Sequence, residues 1–166
     1  DVCSSRSMAR NVEIQANTLV ARLADRISGN YELLHVPDNL SNAALETILN
    51  EKDIKNVIDK ITSADILLYG IGIAKEMAMK RGIPQNKISE LEEMGAVGEA
   101  FGQYYNELGE IVYSTPTIMV EDEDVKHDKV LIAVAAGKNK ARAIIATEIN
   151  RSRTVLIIDE AAAQKI

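Results

Sequence analysis

The chain has 166 residues, of which 46% are hydrophobic and 27% charged, as in a folded domain rather than a disordered segment. Its net charge of -6 and aromatic content of 4% argue against tight nucleic-acid binding by this chain alone. A single cysteine, Cys3, and no apolar run long enough to span a membrane lead us to expect a cytoplasmic protein without disulfides, metal or cofactor.

The first third of the chain predicts one strand between helices. Residues 1–8 are polar and small, so we expect a loop. Apolar residues at helical spacing predict a helix from Arg10 to Ile27, and Tyr31 to Val36 is a predicted strand. Ser41 is a predicted cap of a short helix, which a second helix follows. Since no strand is predicted before the first helix, we expect an N-terminally truncated fragment of a longer domain.

The middle of the chain contains a second apolar strand, Ala64 to Tyr69, which ends in the turn Gly70-Ile71-Gly72. A helix from Ala74 to Arg81 should follow, and the glycine-punctuated stretch Gly95 to Gly102 is predicted to be irregular. The other predicted elements here are a helix after Pro84, short strands at Ile111–Tyr113 and Thr117–Val120, and an acidic connector at Glu121–Asp128.

The stretch from Val130 to Ile144 carries the clearest chemical signal. It begins with a continuous apolar run, typical of a strand covered on both faces. Gly137 lets a ligand approach the backbone, and Asn139 is a predicted cap of the next helix. Lys138 and Lys140 add positive charge where free N–H groups attract anions. These residues predict an anion site, but an ordinary strand-to-helix turn with two solvated lysines explains them equally well.

Strands that alternate with helices and are apolar throughout predict a Rossmann-like α/β fold, a mostly parallel sheet with helices on both faces. A last strand, Val155 to Ile158, completes the series. Ligands bind such sheets beyond the carboxyl ends of the strands. The groups expected at that edge are Pro37-Asp38, Gly70-Ile71-Gly72, Gly137 to Lys140, and Asp159-Glu160. Glycines, lysines and carboxylates together suit a hydroxylated, phosphorylated small molecule.

Six sequence segments together indicate a protein family: VEIQANTLVARLA, YELLHVPDNLS, ADILLYGIG, GAVGEAFGQYY, AVAAGKNKARAI and VLIIDEAAA. In this order they resemble the effector-binding domain of SorC-type bacterial transcriptional regulators, especially the branch that controls glycolytic genes. The resemblance implies that residues 1–166 form one effector-binding domain, related in fold to glucosamine-6-phosphate deaminase and ribose-5-phosphate isomerase. It also implies a phosphosugar effector such as fructose-1,6-bisphosphate, a homo-oligomer (dimer or tetramer), and DNA contact only through a helix-turn-helix domain that this chain lacks.

The resemblance also assigns ligand-binding groups. The matching positions are Arg81 and Lys140 facing phosphate, Gln15 and Glu99 facing sugar hydroxyls, and Gly137 in the loop; Arg6 matches a phosphate-binding arginine before the first helix, with altered spacing. Lys138, which adds charge in the loop after Gly137, completes the expected ligand-binding set. Other interpretations of the same residues stay open. Glu99 is also explained as a solvated loop charge, Arg81 as a helix-end charge, and Asp159-Glu160 as a helix N-terminal pair.

We therefore expect a ligand-sensing domain of a transcriptional repressor, with no catalytic residues. The alternative is a sugar-phosphate isomerase or deaminase of the same fold, which needs a positioned general base. Asp159 and Glu99 are the candidates for that base. His35 and His127 are far apart in the chain and lack a nearby nucleophile, which argues against a Ser/His/Asp arrangement.

Overall fold

The computed structural model describes residues 2–4, 16–34, 36, 41–116, 118, 129–151 and 154–166. Its strands are β1 Val2–Ser4, β2 Tyr31–Leu33, β3 Ile66–Gly70, β4 Gly72–Ile73, β5 Ala96–Ala100, β6 Gln103–Asn106, β7 Ile111–Ser114, β8 Val130–Ala135 and β9 Thr154–Ile158. Its helices are α1 Ala16–Arg26, α2 Asn42–Leu49, α3 Lys52–Thr62, α4 Ala74–Lys80, α5 Gln85–Glu93, α6 Ala141–Glu148 and α7 Glu160–Ala163, with a 3-10 helix at Lys138–Lys140. The chain divides into two compact units, Asp1–Ala64 with Pro116–Lys126, and Asp65–Thr115 with His127–Ile166.

The first unit contains β1, β2 and helices α1 to α3. The expected loop over residues 1–8 is wrong at Val2–Ser4, which forms β1 and pairs in parallel with β2, Val2 opposite Tyr31. Three residues are too short to show the alternation that identifies a strand, so this pairing could not be predicted from the local pattern. The cap of α2 is confirmed, because the Ser41 hydroxyl accepts a hydrogen bond from the Ala44 amide at 3.3 Å.

The second unit contains a three-stranded parallel sheet in the order β3-β8-β9. The predicted parallel sheet of the α/β class is therefore confirmed. Alternate aliphatic side chains of these strands are exposed on one face. They are Ile66, Leu68, Val130, Val134, Val155 and Ile157.

The same unit contains a second sheet that the sequence did not predict, with four antiparallel strands in the order β4-β5-β6-β7. The stretch Gly95 to Gly102, which we expected to be irregular, contains β5 and the turn into β6. A register shift between Ala96 and Gly98 interrupts the two-residue period of β5. Positive φ angles at Phe101 and Gly102, 55° and 83°, then turn the chain into β6.

The core of the second unit lies between α4, α5 and the antiparallel sheet. Tyr104 of β6 is fully buried there, against Ala74 and Ala78 of α4 and Ile88 and Leu91 of α5. This packing fixes the C-terminal end of α4 beside β5. None of the helices that the structure describes is long and apolar enough to cross a membrane.

Candidate functional site

The carboxyl ends of the three parallel strands lie at one edge of the second unit, as predicted. The Ile71 amide, just beyond β3, donates to the Val134 carbonyl of β8 at 3.3 Å. The Gly137 amide, beyond β8, donates to both carboxylate oxygens of Asp159, beyond β9, at 3.0 Å. The fourth predicted edge segment, Pro37-Asp38, lies outside the described residues.

The helix that follows β8 begins later than predicted, after a turn of 3-10 helix. Gly137 has a φ of 104°, a backbone conformation that glycine adopts without a steric penalty. The chain then enters the 3-10 helix, in which the Lys140 amide donates to the Gly137 carbonyl at 3.0 Å. The predicted cap Asn139 is therefore wrong, because it lies inside this turn and the residue before α6 is Lys140, which makes no side-chain cap.

Lys140 joins two of the strand ends. Its Nζ donates to the carbonyl of Ile71, in the Gly70-Ile71-Gly72 turn, at 2.7 Å, and the side chain is half-buried. Lys138, two residues earlier, is exposed. Of the two loop lysines, Lys140 is thus the one directed at the glycine turn.

Arg81 and Glu99 form a buried ion pair, with Arg81 Nη2 at 2.6 Å from Glu99 Oε1. Only 9% of the Arg81 side chain and 4% of the Glu99 side chain are exposed. The same carboxylate oxygen accepts a hydrogen bond from the Gly102 amide at 2.7 Å. Arg81 is the residue at which α4 ends, and Glu99 lies on β5 opposite Gly72. Glu99 is therefore not a solvated charge, which removes the alternative left open for it. Arg81 does lie at a helix end, so its alternative as a helix-end charge stays open.

Two donors of the Arg81 guanidinium, Nε and Nη1, are buried and have no hydrogen-bond partner among the described residues. Buried donors are almost always satisfied in proteins, since an unsatisfied one costs roughly 1–3 kcal/mol. The ion pair with Glu99 satisfies Nη2 alone. The geometry of Arg81 therefore suits an additional acceptor, such as a phosphate or hydroxyl oxygen, at this position.

Gly72 connects the two parts of the site. A Cβ atom at position 72 would lie 2.2 Å from Cγ of Met77 and 3.5 Å from Oε2 of Glu99, so a larger residue does not fit. Lys140 binds the carbonyl of the preceding residue, Ile71. Lys140, the glycine turn, Glu99 and Arg81 are therefore contiguous within one unit.

The Gly137 amide, in the loop where an anion site was predicted, binds the carboxylate of the protein's own Asp159. Besides the Gly137 amide, its carboxylate accepts the Ala162 amide at 3.0 Å and so caps α7. These amide hydrogen bonds, that of Gly137 first, lower the pKa of Asp159 below its ordinary value. The helix N-terminal role predicted for Asp159 is confirmed.

Two predicted ligand groups, Arg6 and Gln15, lie outside the described residues. An open cleft of about 460 Å³ occurs elsewhere in the second unit, lined by Met94, Asn106 and Arg142 among others. None of the predicted site residues lines this cleft. Among the described residues, no three His, Cys, Asp or Glu side chains are grouped so that they could hold a metal ion.

Sequence reasoning missed two features of this edge. The contact of Asp159 with Gly137 could have been inferred, since both follow adjacent parallel strands. The pairing of Arg81 with Glu99 could not have been inferred, because it depends on the antiparallel sheet, which the sequence pattern did not predict.

Comparison with known proteins agrees with this architecture. The Sugar-bind family model, that of a sugar-binding domain, matches residues 2–166. The chain is 42% identical over 159 residues to the central glycolytic genes regulator of Priestia megaterium (strain DSM 319 / IMG 1521), and 40% identical to that of Bacillus subtilis (strain 168). Both matches cover 96% of this chain but only 46% and 47% of the relatives, so the chain spans about half their length.

Two solved structures show the same fold. A SorC family transcriptional regulator from Enterococcus faecalis is 35% identical, with a TM-score of 0.88 over 99% of this chain and 67% of that one. The full-length sorbitol operon regulator SorC from Klebsiella pneumoniae, 18% identical, has a TM-score of 0.86 over 98% of this chain and 56% of that one, a likeness of fold alone. These relatives are named as regulators, which does not favour the isomerase or deaminase alternative. The chain belongs to the Sugar-bind family, the sugar-binding domain of SorC-type transcriptional regulators.

Proposed function

We propose that this chain is the ligand-sensing domain of a bacterial transcriptional repressor, and that its effector is a phosphorylated sugar such as fructose-1,6-bisphosphate. The observation that carries the proposal is the buried Arg81, which pairs with Glu99 and has two further donors without a partner in the described part of the chain. In the longer protein, ligand would shift the balance between subunit arrangements by binding one of them more tightly. DNA would be contacted by another domain.

Each side chain has a distinct role in this proposal. Arg81 and Lys140 donate charge-assisted hydrogen bonds to phosphate oxygens, the strongest class of hydrogen bond available to a cation. Glu99, the buried acceptor beside them, binds sugar hydroxyls. A phosphate that reaches the Gly137 amide has to displace the Asp159 carboxylate, so we assign the main phosphate contacts to side chains. Arg6, Gln15 and Lys138 remain expected ligand groups.

The first test is thermal unfolding with and without fructose-1,6-bisphosphate. A ligand at a hundred times its Kd raises the free energy of unfolding by about 2.7 kcal/mol, a shift that thermal unfolding resolves. Lys140→Ala should weaken binding by about 1.5–3 kcal/mol, the value of a hydrogen bond to a charged group. Its unliganded melting temperature should change little, because the variant removes a single side-chain hydrogen bond among the described residues, the one from Nζ to the Ile71 carbonyl.

Lys87→Ala is the matched control, since it removes the same charge from a lysine on α5 that pairs with Glu90. It should bind the sugar phosphate like the wild type. An unchanged ligand response in Lys140→Ala would remove Lys140 from the site. If the chain converts the sugar phosphate to a product and Glu99→Gln abolishes that conversion, the sensor proposal is rejected in favour of the isomerase or deaminase alternative.

A further inference from the structure

A second arginine, Arg151, lies at the centre of a buried aromatic cluster in the same unit. Its Cζ is 5.6 Å from the ring centroid of Tyr69, 5.2 Å from that of Phe101 and 5.7 Å from that of Tyr105. Its Nη2 donates to the Tyr105 hydroxyl at 2.9 Å. Only 10% of the Arg151 side chain is exposed. Cation–π contacts are strongest when the cation is desolvated in this way.

Glu148 supports Arg151 from the adjoining helix. Its carboxylate lies 3.8 Å from Arg151 Nη1 and accepts the Tyr69 hydroxyl at 2.9 Å. Charge compensation of this kind keeps a buried guanidinium in place. We call Arg151, Glu148, Tyr69, Tyr105 and Phe101 the arginine clamp.

The clamp includes a residue in an unfavourable backbone conformation. Phe101 has a φ of 55°, which is rare for a bulky side chain and persists only where surrounding contacts impose it. The contacts of the Phe101 ring are the Tyr69 ring, 4.3 Å away between centroids, and the Arg151 guanidinium. The Thr115 amide and hydroxyl also donate to the Gly102 carbonyl, at 3.0 Å and 2.9 Å. The clamp therefore acts on the side-chain part of the turn between β5 and β6, in addition to these backbone contacts.

That turn begins at Glu99. The Glu99 carboxylate accepts the amide of Gly102, the residue after Phe101, at 2.7 Å, and faces Arg81 at 2.6 Å. If Phe101 leaves its conformation, the Gly102 amide turns away and the carboxylate loses one of its two partners. The orientation of Glu99 toward Arg81 thus depends on the ring at position 101 and on the cation that contacts it.

We propose that Arg151 is a positioning residue for the sugar-phosphate site: by clamping Phe101, it fixes the turn that directs Glu99 at Arg81 and at the effector hydroxyls. This rests on the proposed function, because it assigns Glu99 to the sugar. Arg151 itself does not touch the ligand.

The decisive variant is Arg151→Met, which keeps the aliphatic stem but loses the cation. We expect the Kd for fructose-1,6-bisphosphate to rise about tenfold. The Kd for inorganic phosphate, which has no sugar hydroxyls for Glu99 to bind, should rise less than twofold. A general loss of packing would change both constants alike, so the ratio of the two Kd values separates positioning from stability. An unchanged ratio would overturn the proposal.

Hydrogen exchange at the Gly102 amide tests the clamp without any ligand. In Arg151→Met the Gly102 amide should exchange at least tenfold faster, measured against amides of α5, a helix outside the clamp. Exchange at the wild-type rate would contradict the proposal even if no sugar phosphate binds. Arg142→Met is the matched control, because Arg142 is an exposed arginine of α6 paired with Glu107, and it should leave exchange and both Kd values unchanged.

Phe101→Ala keeps the proposal testable if Arg151→Met does not fold. Alanine keeps the Cβ atom, so the positive φ stays unfavourable, but the variant removes the ring that the clamp holds. It should reproduce the change in the Kd ratio and the faster exchange of Gly102. Wild-type values in Phe101→Ala would overturn the proposal. Loss of sugar-phosphate binding in Lys140→Ala, with wild-type behaviour in both clamp variants, would keep the proposed function and remove only Arg151's role.

Discussion

At position 81 a guanidinium is buried although only one of its three nitrogens has a hydrogen-bond partner among the described residues. A buried ion pair is rarely the most stable solution, because desolvation of the two charges offsets most of their attraction. Apolar residues of similar volume often stabilise a core as well as such a pair does. Under the proposed function a ligand accounts for the buried pair of Arg81 and Glu99, and the Nε and Nη1 donors face the ligand's acceptors.

The ionisation of Asp159 should make the stability of the folded chain depend on pH. Its folded-state pKa is lowered, by the Gly137 amide first and then by the Ala162 amide, relative to about 3.9 in the unfolded chain. Its stabilising effect is therefore present above that unfolded value and is lost as the pH falls through the folded one. We predict that the difference in melting temperature between the wild type and Asp159→Asn is largest near neutral pH and shrinks below pH ~4.

The control for this experiment is Glu160→Gln, which removes the neighbouring charge but neither of the two amide hydrogen bonds. A difference for Asp159→Asn that stays constant from neutral pH to about pH 2 would contradict the assignment of these bonds to a charged carboxylate.

Among the elements, β5 and α6 pack closely against each other at Gly98. A Cβ atom there would lie 2.8 Å from the Ala143 carbonyl oxygen and 3.1 Å from the Ala143 Cα, both backbone atoms that cannot rotate away. We predict that Gly98→Ala lowers the free energy of unfolding by about 1–3 kcal/mol, the usual cost of overpacking. It should also weaken sugar-phosphate binding, because β5 carries Glu99 next to this position.

Chemical denaturation measures the stability change, and Gly70→Ala serves as the control for stability. A Cβ at Gly70 would meet its nearest neighbour, the Val134 carbonyl oxygen, at 3.9 Å, an ordinary contact. A Gly98→Ala variant as stable as Gly70→Ala would show that α6 shifts away from β5 without cost.

The elements that could be predicted from the sequence are those whose residues show an uninterrupted apolar or helical pattern over several positions. The strands β3, β8 and β9 are apolar runs between helical segments, and their parallel order gave the edge where Gly137 and Asp159 meet. β1 was missed because only its pairing with β2 identifies it, and β5 because a register shift and a left-handed turn interrupt its alternation. The site was therefore predicted on its parallel side, with Lys140, while the Arg81–Glu99 pair came from the resemblance rather than from the pattern.

At the scale of the whole molecule, the described part of the chain supplies a binding edge but no obvious surface for DNA. Its relatives in Priestia megaterium and Bacillus subtilis are about twice as long, and both are named as regulators of genes. The net charge here is -6, and the buried cations Arg81 and Arg151 are already paired with carboxylates. The proposed function therefore requires that ligand binding at this edge be coupled to a DNA-binding domain outside these 166 residues.

We therefore predict that the 166-residue chain alone does not retard a DNA duplex in an electrophoretic mobility experiment at 0.15 M salt, with or without fructose-1,6-bisphosphate. Non-specific DNA binding depends on lysines and arginines that release counterions from phosphates, and a chain with 19 basic and 25 acidic residues lacks the required excess. The full-length central glycolytic genes regulator of Bacillus subtilis, run beside the chain, is the comparison. Retardation by the chain alone that weakens with added salt would place a DNA contact within this domain, and the ligand would then act on DNA directly rather than through a coupled domain.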